Sequence, residues 1–461
     1  MNIIKLIVFD LDGVLVNTKN IHFNALNNAL KKSKVNYQIS YEEHLKIFDG
    51  LTTKEKLQIL LKRKIIKSRK FKEIIKFKNI YTDNELSKKI KFNKKIHSIF
   101  QRLSKKYTVI VATNAIKKTL ETCLKKLRIK NFLYLSYSNQ DVLFPKPHPQ
   151  IYLKCMVDAG VKPKETLIIE DSHHGRQSAI DSGGNLFPIK SDNDLTYKKI
   201  IETIKLINKK NIMPKNTRWK DKELNILIPM AGAGKRFAEA GYSFPKPLIE
   251  IHGQPMIKWV IQSLNISANY IFLAQKSHIE KYNLHSVLKI IEPESKIIEI
   301  DGITEGAACT TLLAEKFIDN KQPLLIANSD QFIEWSASKS MYKFISKKAD
   351  GGILTFEAIH PKWSYAKVDE NNIVVEVAEK KVISNNATVG IYYWKEGQDY
   401  VKYAKKMIKN NIRVNNEFYV CPVFNEAIKD KKNILIDKID KMWGLGTPED
   451  LKYFIDKFKI N

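Results

Sequence analysis

The sequence predicts an α/β protein with two domains, and three observations lead to this prediction. The chain has 461 residues, more than one hydrophobic core usually organises, and its hydrophobic content of 44% is ordinary for a globular protein. Short apolar runs alternate with segments of helical periodicity in both halves, a pattern typical of parallel sheets. Between about residues 190 and 222 the apolar runs stop and a polar stretch rich in Lys and Asn follows. We therefore expect a domain junction there.

The first half contains three predicted strands whose carboxyl ends carry polar side chains. They span residues 5–10, 107–112 and 166–170, and a helical pattern follows the first strand and continues to about residue 100. Open α/β sheets bind their ligands at the carboxyl ends of parallel strands. The pattern therefore predicts a doubly wound core, interrupted by a helical insert, with a site at one edge of its sheet.

Two carboxylates at alternate positions, Asp10 and Asp12, lie just past the first predicted strand. The first can act as a nucleophile on a phosphoryl group, and the second as an acid and then a base. Such chemistry also needs donors to phosphate oxygens, a cation, and carboxylates that hold Mg²⁺. The candidates follow in order along the chain: Thr113 and Asn114 as donors, Lys146 as the cation, and Glu170 and Asp171 as metal ligands together with Asp10 and Asp12.

In these residues, the first 190 or so positions resemble the haloacid dehalogenase superfamily, in the branch that includes β-phosphoglucomutase. The resemblance implies a Mg²⁺-dependent phosphatase with a Rossmannoid core, residues 1–15 and 93–195, and a helical cap at 16–92. Mutases of this branch carry an Arg in a cap loop that grips the distal phosphate of the substrate, and Thr53 occupies the aligned position. This difference favours a phosphatase, while a phosphosugar mutase and a non-catalytic regulatory module remain open.

A second series of predicted elements follows a linker at residues 196–222 and forms a domain at 223–461. The predicted strands span 225–230, 269–275, 296–300 and 323–327, and the predicted helices span 255–265 and 306–317. The first of these strands leads into a loop with Gly232 and Gly234, whose backbone N–H groups can approach a triphosphate closely. Arg236 then supplies a planar cation beside this loop.

Lys246 and the segments after it complete a resemblance of about residues 224–461 to the sugar-1-phosphate nucleotidyltransferases. The resemblance implies a Rossmann-like domain with a mixed sheet, in which an acceptor phosphate oxygen attacks the α-phosphorus of an NTP and pyrophosphate leaves. It assigns catalysis to Arg236 and Lys246, nucleotide binding to Ala231, Gly232, Ala233, Gly234, Lys235, Arg236, Gly306 and Ala307, acceptor binding to Glu379, Lys380 and Gly390, and metal binding to Asp330.

The closing motif of this second family usually contains an Asp that is a further metal ligand, and this chain has Gly444 at that position. Water, or another acid such as Asp437 or Asp440, is therefore expected to complete the metal site of Asp330. The two resemblances together imply Mg²⁺ in both domains and an NTP as a co-substrate of the second.

Composition limits the remaining function classes. The formal net charge is +29, but the excess is nearly all Lys and is spread along the whole chain, whereas nucleic-acid readers favour Arg and interleave aromatic residues. A nucleic-acid-binding protein is thus a remote alternative. The sequence contains no run of about 18 apolar residues, so no membrane span is predicted. The four cysteines are widely spaced, without a disulfide or zinc pattern.

These features predict a bifunctional cytoplasmic enzyme of the kind that feeds surface polysaccharide assembly. The first domain would remove a phosphate from a phosphorylated sugar or alcohol, and the second would load the remaining phosphate with a nucleotide. The expected partners are therefore small molecules, an NTP and a phosphorylated substrate, with no nucleic acid and no membrane. Family precedent also implies self-association.

Overall fold

The computed structural model describes residues 3–48, 51–210, 218–232 and 234–458. The chain divides into two compact units, Met1–Thr217 and Arg218–Asn461. The first unit contains a parallel sheet and the second a mixed sheet, which confirms the predicted α/β class with two domains. In the part of the chain that the structure describes, no helix is both long enough and apolar enough to cross a membrane.

Five parallel strands form the sheet of the first unit, in the order β3-β2-β1-β4-β5. The strands are β1 Leu6–Phe9, β2 Thr108–Ala112, β3 Leu135–Tyr137, β4 Thr166–Glu170 and β5 Asn185–Pro188. β1 and β4 are buried along their whole length, as expected for apolar strands covered on both faces. Because β1 lies between β2 and β4, the carboxyl ends of these three strands lie side by side.

Helices form the cap and cover the sheet of the first unit. They are α1 Lys19–Lys32, α2 Tyr41–Glu43, α3 Thr53–Lys62, α4 Phe71–Lys89, α5 Lys94–Leu103, α6 Lys117–Leu127, α7 Gln150–Asp158, α8 His173–Asp181 and α9 Tyr197–Lys210. The cap, from α1 to α4, has its own apolar core, which includes Leu26, Leu57 and Ile74. Phe9 packs in a core on one face of the sheet with α5, α6 and α9, and Val8 packs on the other face with α7 and α8.

Part of the segment predicted as a linker, residues 196–222, belongs to the fold of the first unit. Ile200 and Ile204 of α9 are buried in the same core as Phe9, so residues 197–210 pack onto the first unit. Residues 211–217 lie outside the described residues, and the next strand begins at Trp219.

Nine strands form the main sheet of the second unit, in the order β10-β9-β6-β11-β16-β13-β17, with β14 and β15 paired beside β16. The strands of this unit are β6 Trp219–Met230, β7 Glu250–Ile251, β8 Gln254–Pro255, β9 Ile266–Gln275, β10 Lys296–Ile300, β11 Leu324–Ala327, β12 Gln331–Glu334, β13 Gly351–Glu357, β14 Tyr365–Val368, β15 Val374–Ala378, β16 Asn386–Trp394, β17 Ile434–Lys438 and β18 Lys441–Gly444. β10, β9, β6 and β11 are parallel, whereas β16 runs antiparallel to both of its neighbours. β12 and β18 form a separate antiparallel pair.

The helices of the second unit are α10 Lys235–Glu239, α11 Met256–Leu264, α12 Lys276–Tyr282, α13 Leu284–Ile291, α14 Ala307–Leu312, α15 Glu315–Ile318, α16 Ala337–Ser346, α17 Gly397–Lys409, α18 Val423–Lys429 and α19 Pro448–Lys457. The helix predicted at 306–317 is in fact two short helices, α14 and α15. The hydroxyls of Thr310 and Thr311 donate to the carbonyls of Gly306 and Ala308, and such bonds compete with regular helix formation.

Candidate active sites

The first candidate site lies at the carboxyl edge of the five-stranded sheet. Asp10 follows the last residue of β1, Thr113 follows β2, and Glu170 ends β4. The backbone N–H of Asp10 donates to the carbonyl of Ile169 over 3.0 Å, which continues the parallel pairing past the end of β1. The strand order therefore brings together predicted residues that are as far apart in the chain as Asp10 and Glu170.

Lys146 is the buried cation of this site. Its Nζ donates to Asp10 Oδ1 over 2.6 Å, to Glu170 Oε1 over 2.7 Å and to the carbonyl of Ala112 over 2.8 Å. Burial opposes the charge of Lys146, but the carboxylates of Asp10 and Glu170 raise its pKa. Burial and the charge of Glu170 raise the pKa of Asp10 well above its usual range, although Lys146 acts against them.

Three carboxylates form a candidate metal-binding group. Oxygen atoms of Asp10, Glu170 and Asp171 lie within 4.8 Å of one another, and all three residues are buried. Lys146 supplies one positive charge to this group, and further cationic charge would offset the cost of burying the carboxylates together. Oxygen donors in this number suit Mg²⁺, so the donor set fits the predicted metal.

The side chain of Asp12 makes different contacts from those of the metal-binding group. Its Oδ1 accepts a hydrogen bond from the Thr18 hydroxyl and lies 3.3 Å from His22 Nε2. Lys78 Nζ lies 3.3 Å from the other nitrogen of that imidazole, His22 Nδ1. Burial opposes ionisation of Asp12, but His22, Thr18 and Lys78 together hold its pKa well below the usual range. Asp12 is therefore a carboxylate in this structure, in the state that a general base requires.

Asn114 holds the loop that carries Lys146. The backbone N–H of Lys146 donates to Asn114 Oδ1 over 3.0 Å, and Asn114 Nδ2 donates to the carbonyl of Lys146 over 2.9 Å. The Thr113 hydroxyl lies 3.3 Å from Asp12 Oδ2 and accepts a bond from the N–H of Ala115. Asn114 is thus placed to position the predicted catalytic cation, a role that the sequence did not predict for it.

The cap closes over these residues and adds cations to the cavity. Asp10, Asp12 and Lys146 line its core side, and Lys56 and Lys78 line its cap side. Lys56 is 7% exposed. Burial and the charge of Lys56 lower the pKa of Lys78 to about 8. The cavity therefore carries positive charge on both its core side and its cap side, which favours anionic ligands.

The second candidate site is a pocket in the second unit. Arg236, Lys246 and Asp330 line it, and Lys246 Nζ donates to Asp330 Oδ2. Of the other predicted nucleotide-binding residues, Ala307 lines this pocket and Ala233 lies outside the described residues. The remaining residues of the loop, Ala231, Gly232, Gly234 and Lys235, connect the end of β6 to the start of α10.

Gly306 allows two backbone segments to meet beside this pocket. Its φ is +130°, and a Cβ at this position would lie 2.5 Å from both the backbone nitrogen and oxygen of Phe418. The N–H of Phe418 donates to the carbonyl of Glu305, and the N–H of Ala308 donates to the carbonyl of Phe418. The close approach that the glycine permits is therefore to Phe418 of the same unit.

The predicted acceptor-binding residues line the same pocket. The carboxylate of Glu379 accepts a hydrogen bond from the Ser364 hydroxyl, and burial raises the pKa of Glu379. Lys380 Nζ donates to the Tyr419 hydroxyl over 2.6 Å. Gly390 has a φ of +71°, and a Cβ there would collide with the side-chain amide of Asn328. These contacts place a carboxylate and an ammonium group beside the predicted catalytic cations.

The two acids proposed to complete the metal site of Asp330 do not line this pocket. Asp437 is buried and accepts bonds from Lys339, Lys343 and Ser340, while Asp440 follows β17 and pairs through its backbone N–H with the carbonyl of Glu334. The pocket is lined instead by Asp450, which the sequence analysis did not select. Neither Asp437 nor Asp440 is therefore placed to bind a metal together with Asp330, and water is the other ligand that the sequence analysis left open.

The sequence analysis assigned no role to four further residues of the first cavity. They are Thr18, His22, Lys56 and Lys78. Thr18 and His22 follow Asp12 closely, but a polar residue near a helix start carries no specific signal. Lys56 and Lys78 belong to a Lys-rich helical segment in which the sequence does not distinguish a buried amine from a solvated one.

Family models match both units of the chain. Residues 7–187 match the model of the haloacid dehalogenase-like hydrolases, and residues 226–455 match the model of the nucleotidyl transferases. Among curated relatives, the bifunctional protein GlmU of Methanocaldococcus jannaschii is 25% identical over 252 residues, which are 52% of this chain and 56% of that protein. The chain therefore spans little more than half of that relative's length.

Another relative matches less than half of the chain, and a solved structure matches half of it. Pyrophosphatase PpaX of Anoxybacillus flavithermus is 25% identical over 201 residues, which are 42% of this chain and 90% of that protein. The crystal structure of a nucleoside-diphosphate-sugar pyrophosphorylase from Vibrio cholerae RC9 covers 50% of this chain and 100% of its own, with 25% identity and a TM-score of 0.45.

Proposed function

We propose that this chain, in which a haloacid dehalogenase-like hydrolase domain precedes a nucleotidyl transferase domain, catalyses two successive reactions on one phosphorylated sugar or alcohol. The observation that carries the proposal is that each unit has its own charge-paired site, Lys146 with Asp10 and Glu170 in the first and Lys246 with Asp330 in the second. We assign the hydrolase to residues 1–195, with core and cap divided as predicted above, together with helix α9, which packs onto that core, and the transferase to residues 223–461.

In the first reaction, a carboxylate oxygen of Asp10 attacks the phosphorus of a phosphate monoester, and the ester oxygen leaves as an alcohol. Asp12 takes up a proton from solvent when the anionic substrate binds, gives it to that oxygen, and later takes one from the water that hydrolyses the phosphorylated Asp10. The negative charge of the bound phosphate raises the proton affinity of Asp12 for the first of these steps. Lys146 stabilises the phosphoryl oxygens, and Mg²⁺ held by Asp10, Glu170 and Asp171 would neutralise further charge on them.

The residues of the cap favour transfer of the phosphoryl group to water over its transfer to a second hydroxyl of the sugar. Thr53 lines the cavity where the related mutases have an Arg, and the cations on the cap side are Lys56 and Lys78. We infer a phosphatase whose substrate carries a second anionic group, such as a bisphosphate, because the cap adds two amines, Lys56 and Lys78, to the cavity that Asp10 and Lys146 line. One phosphate would then remain on the product and enter the second reaction.

In the second reaction, an oxygen of that remaining phosphate attacks the α-phosphorus of an NTP, and pyrophosphate leaves. Arg236 and Lys246 stabilise the charge that develops, and Glu379 and Lys380 hold the acceptor. Mg²⁺ bound at Asp330 would neutralise charge on the triphosphate. The product is an NDP-sugar or NDP-alcohol, and we propose that it serves surface polysaccharide synthesis in the cytoplasm, where NTPs are supplied.

The test measures both products from the full-length chain. Pyrophosphate release is measured with Mg²⁺, each common NTP, and a panel of sugar and polyol phosphates, and phosphate release with the corresponding bisphosphates. We expect Asp10→Asn to abolish phosphate release only, and Lys246→Met to abolish pyrophosphate release only. Each variant is the other's control for folding.

Other results would contradict the proposal. Asp10→Asn with unchanged flux would favour a regulatory first domain, and conversion of one sugar phosphate isomer into another would favour a mutase. Salt-sensitive retention on DNA with no NTP turnover would favour nucleic-acid binding.

A further inference from the structure

The transferase pocket has one predicted metal-binding carboxylate, Asp330, because Gly444 occupies the position where a second is expected. Gly444 lies beside the segment of Asp330, since β18 pairs with β12 in a register that places Gly444 opposite Gln331. The N–H of Leu445 also donates to the carbonyl of Asp330 over 2.8 Å. A side chain at position 444 would therefore begin close to Asp330.

The carboxylate of Asp450 occupies the space in front of Gly444. A Cβ built on Gly444 would lie 3.2 Å from Asp450 Oδ2 and 3.3 Å from its Cγ. Both residues line the pocket that contains Asp330 and Lys246. Asp450 is held in place because its N–H donates to the hydroxyl of Thr447, which caps α19.

We propose that Asp450 supplies the carboxylate that Gly444 lacks, so that Asp330 and Asp450 together bind the metal of the transferase site. The proposal deepens the proposed nucleotidyl transfer and rests on it. Two carboxylates fit the donor chemistry of Mg²⁺, which usually takes one or two protein carboxylates together with phosphate oxygens of the substrate. The metal ligand has moved from a strand to the first turn of the following helix.

A purely structural role for Asp450 predicts something different. Its carboxylate lies 3.7 Å from Lys362 Nζ, and the two side chains are 35% and 48% exposed. Such an exposed pair contributes little to stability, and so does an acid in the first turn of a helix. If these were its only roles, removing the charge would change stability slightly and would leave metal binding unchanged.

The test measures Mn²⁺ binding by the full chain with electron paramagnetic resonance, without nucleotide. All variants carry Asp10→Asn and Asp171→Asn, so that the carboxylates of the first site do not contribute. We expect Asp450→Asn to weaken Mn²⁺ binding by about tenfold or more. Asp456→Asn is the matched control, because Asp456 is an exposed acid on the same helix. Equal binding by the two variants would overturn the proposal.

A second variant moves the carboxylate back to the strand. In Asp450→Ala, the atoms nearest to Gly444 are removed, so Gly444→Asp can be added without that contact. We expect the double variant to recover Mn²⁺ affinity that Asp450→Ala has lost, and failure to recover it would contradict the shared position. Because binding is measured without turnover, Asp450-dependent Mn²⁺ binding in a chain that releases no pyrophosphate would contradict the proposed function but not this inference.

Discussion

At the scale of single residues, Lys78 makes the phosphatase site sensitive to pH. Burial and the charge of Lys56 lower the pKa of Lys78 to about 8, so the amine loses its charge as the pH rises through 8. We therefore expect kcat/KM for phosphate release to fall above pH 8, because the cavity then attracts its anionic substrate less strongly. A profile measured from pH 6 to pH 10 on the bisphosphate substrate tests this.

Two variants separate the charge of Lys78 from its shape. Lys78→Arg keeps the charge at high pH and should remove the alkaline decline. Lys78→Met should lower kcat/KM about tenfold near neutral pH, as expected for one lost charge near the substrate, and should also remove the decline. An alkaline decline that persists unchanged in Lys78→Met would assign it to another group.

The same residues show how far sequence reasoning reaches. Asp10, Lys146 and Glu170 were predicted from their order at strand ends, and they meet because parallel strands share one carboxyl edge. His22 and Lys78 were not selected, although their ring nitrogen and amine lie 3.3 Å apart. Their contact depends on how the cap helices α1 and α4 pack, and helical periodicity does not specify which polar faces meet.

At the scale of elements, Asp437 of strand β17 connects this strand to helix α16 through hydrogen bonds and ion pairs. Its carboxylate accepts bonds from Ser340, Lys339 and Lys343 of α16, with the Ser340 bond at 2.6 Å. We expect Asp437→Asn to lower the free energy of unfolding of the second unit by about 2–3 kcal/mol, because two amines lose a buried charged partner. Metal binding should not change, since Asp437 does not line the pocket.

The pH dependence of this contribution has a definite sign. Burial opposes ionisation of Asp437, but Lys339 and Lys343 hold its pKa below the ordinary value. Its stabilising effect is therefore complete above about pH 4, the ordinary pKa of Asp, and is lost as the pH falls toward the lower pKa of the folded state. Urea unfolding of the wild type and the variant at pH 7 and pH 3 should show the difference shrinking. A difference that is equal at both values would contradict the ionic account.

The bounds of a strand were predicted well where the strand is a buried apolar run, and poorly where pairing with another strand sets its first residue. β1 was predicted almost to the residue because it is a short, buried apolar run, and the predicted bounds of β10, 296–300, also agree although most of that strand is exposed or half-buried. β6 begins six residues earlier than predicted, at Trp219 instead of 225. Its polar start pairs with β9, and Lys220 lies opposite Ser267 of that strand. An exposed, charged start of this kind has no apolar signature in the sequence.

At the scale of the whole molecule, each unit contains its own set of predicted catalytic residues. The residues of the phosphatase site lie within Met1–Thr217, and those of the transferase site lie within Arg218–Asn461. The product of the first reaction is a small molecule that can leave one site and reach another by diffusion. One chain should therefore be able to perform the first reaction and a different chain the second.

Mixing two inactivated variants tests this independence. Asp10→Asn and Lys246→Met should each fail to convert the bisphosphate and an NTP into the nucleotide product, whereas an equal mixture should make it. Diffusion of a small intermediate is fast compared with typical turnover of about 1–1,000 s⁻¹, so the mixture should show only a short lag. The nucleotide product is followed by mass spectrometry, with inorganic phosphate and pyrophosphate measured alongside. If the mixture makes no product while each variant retains its own remaining half-reaction, the intermediate must instead pass between sites of a single chain.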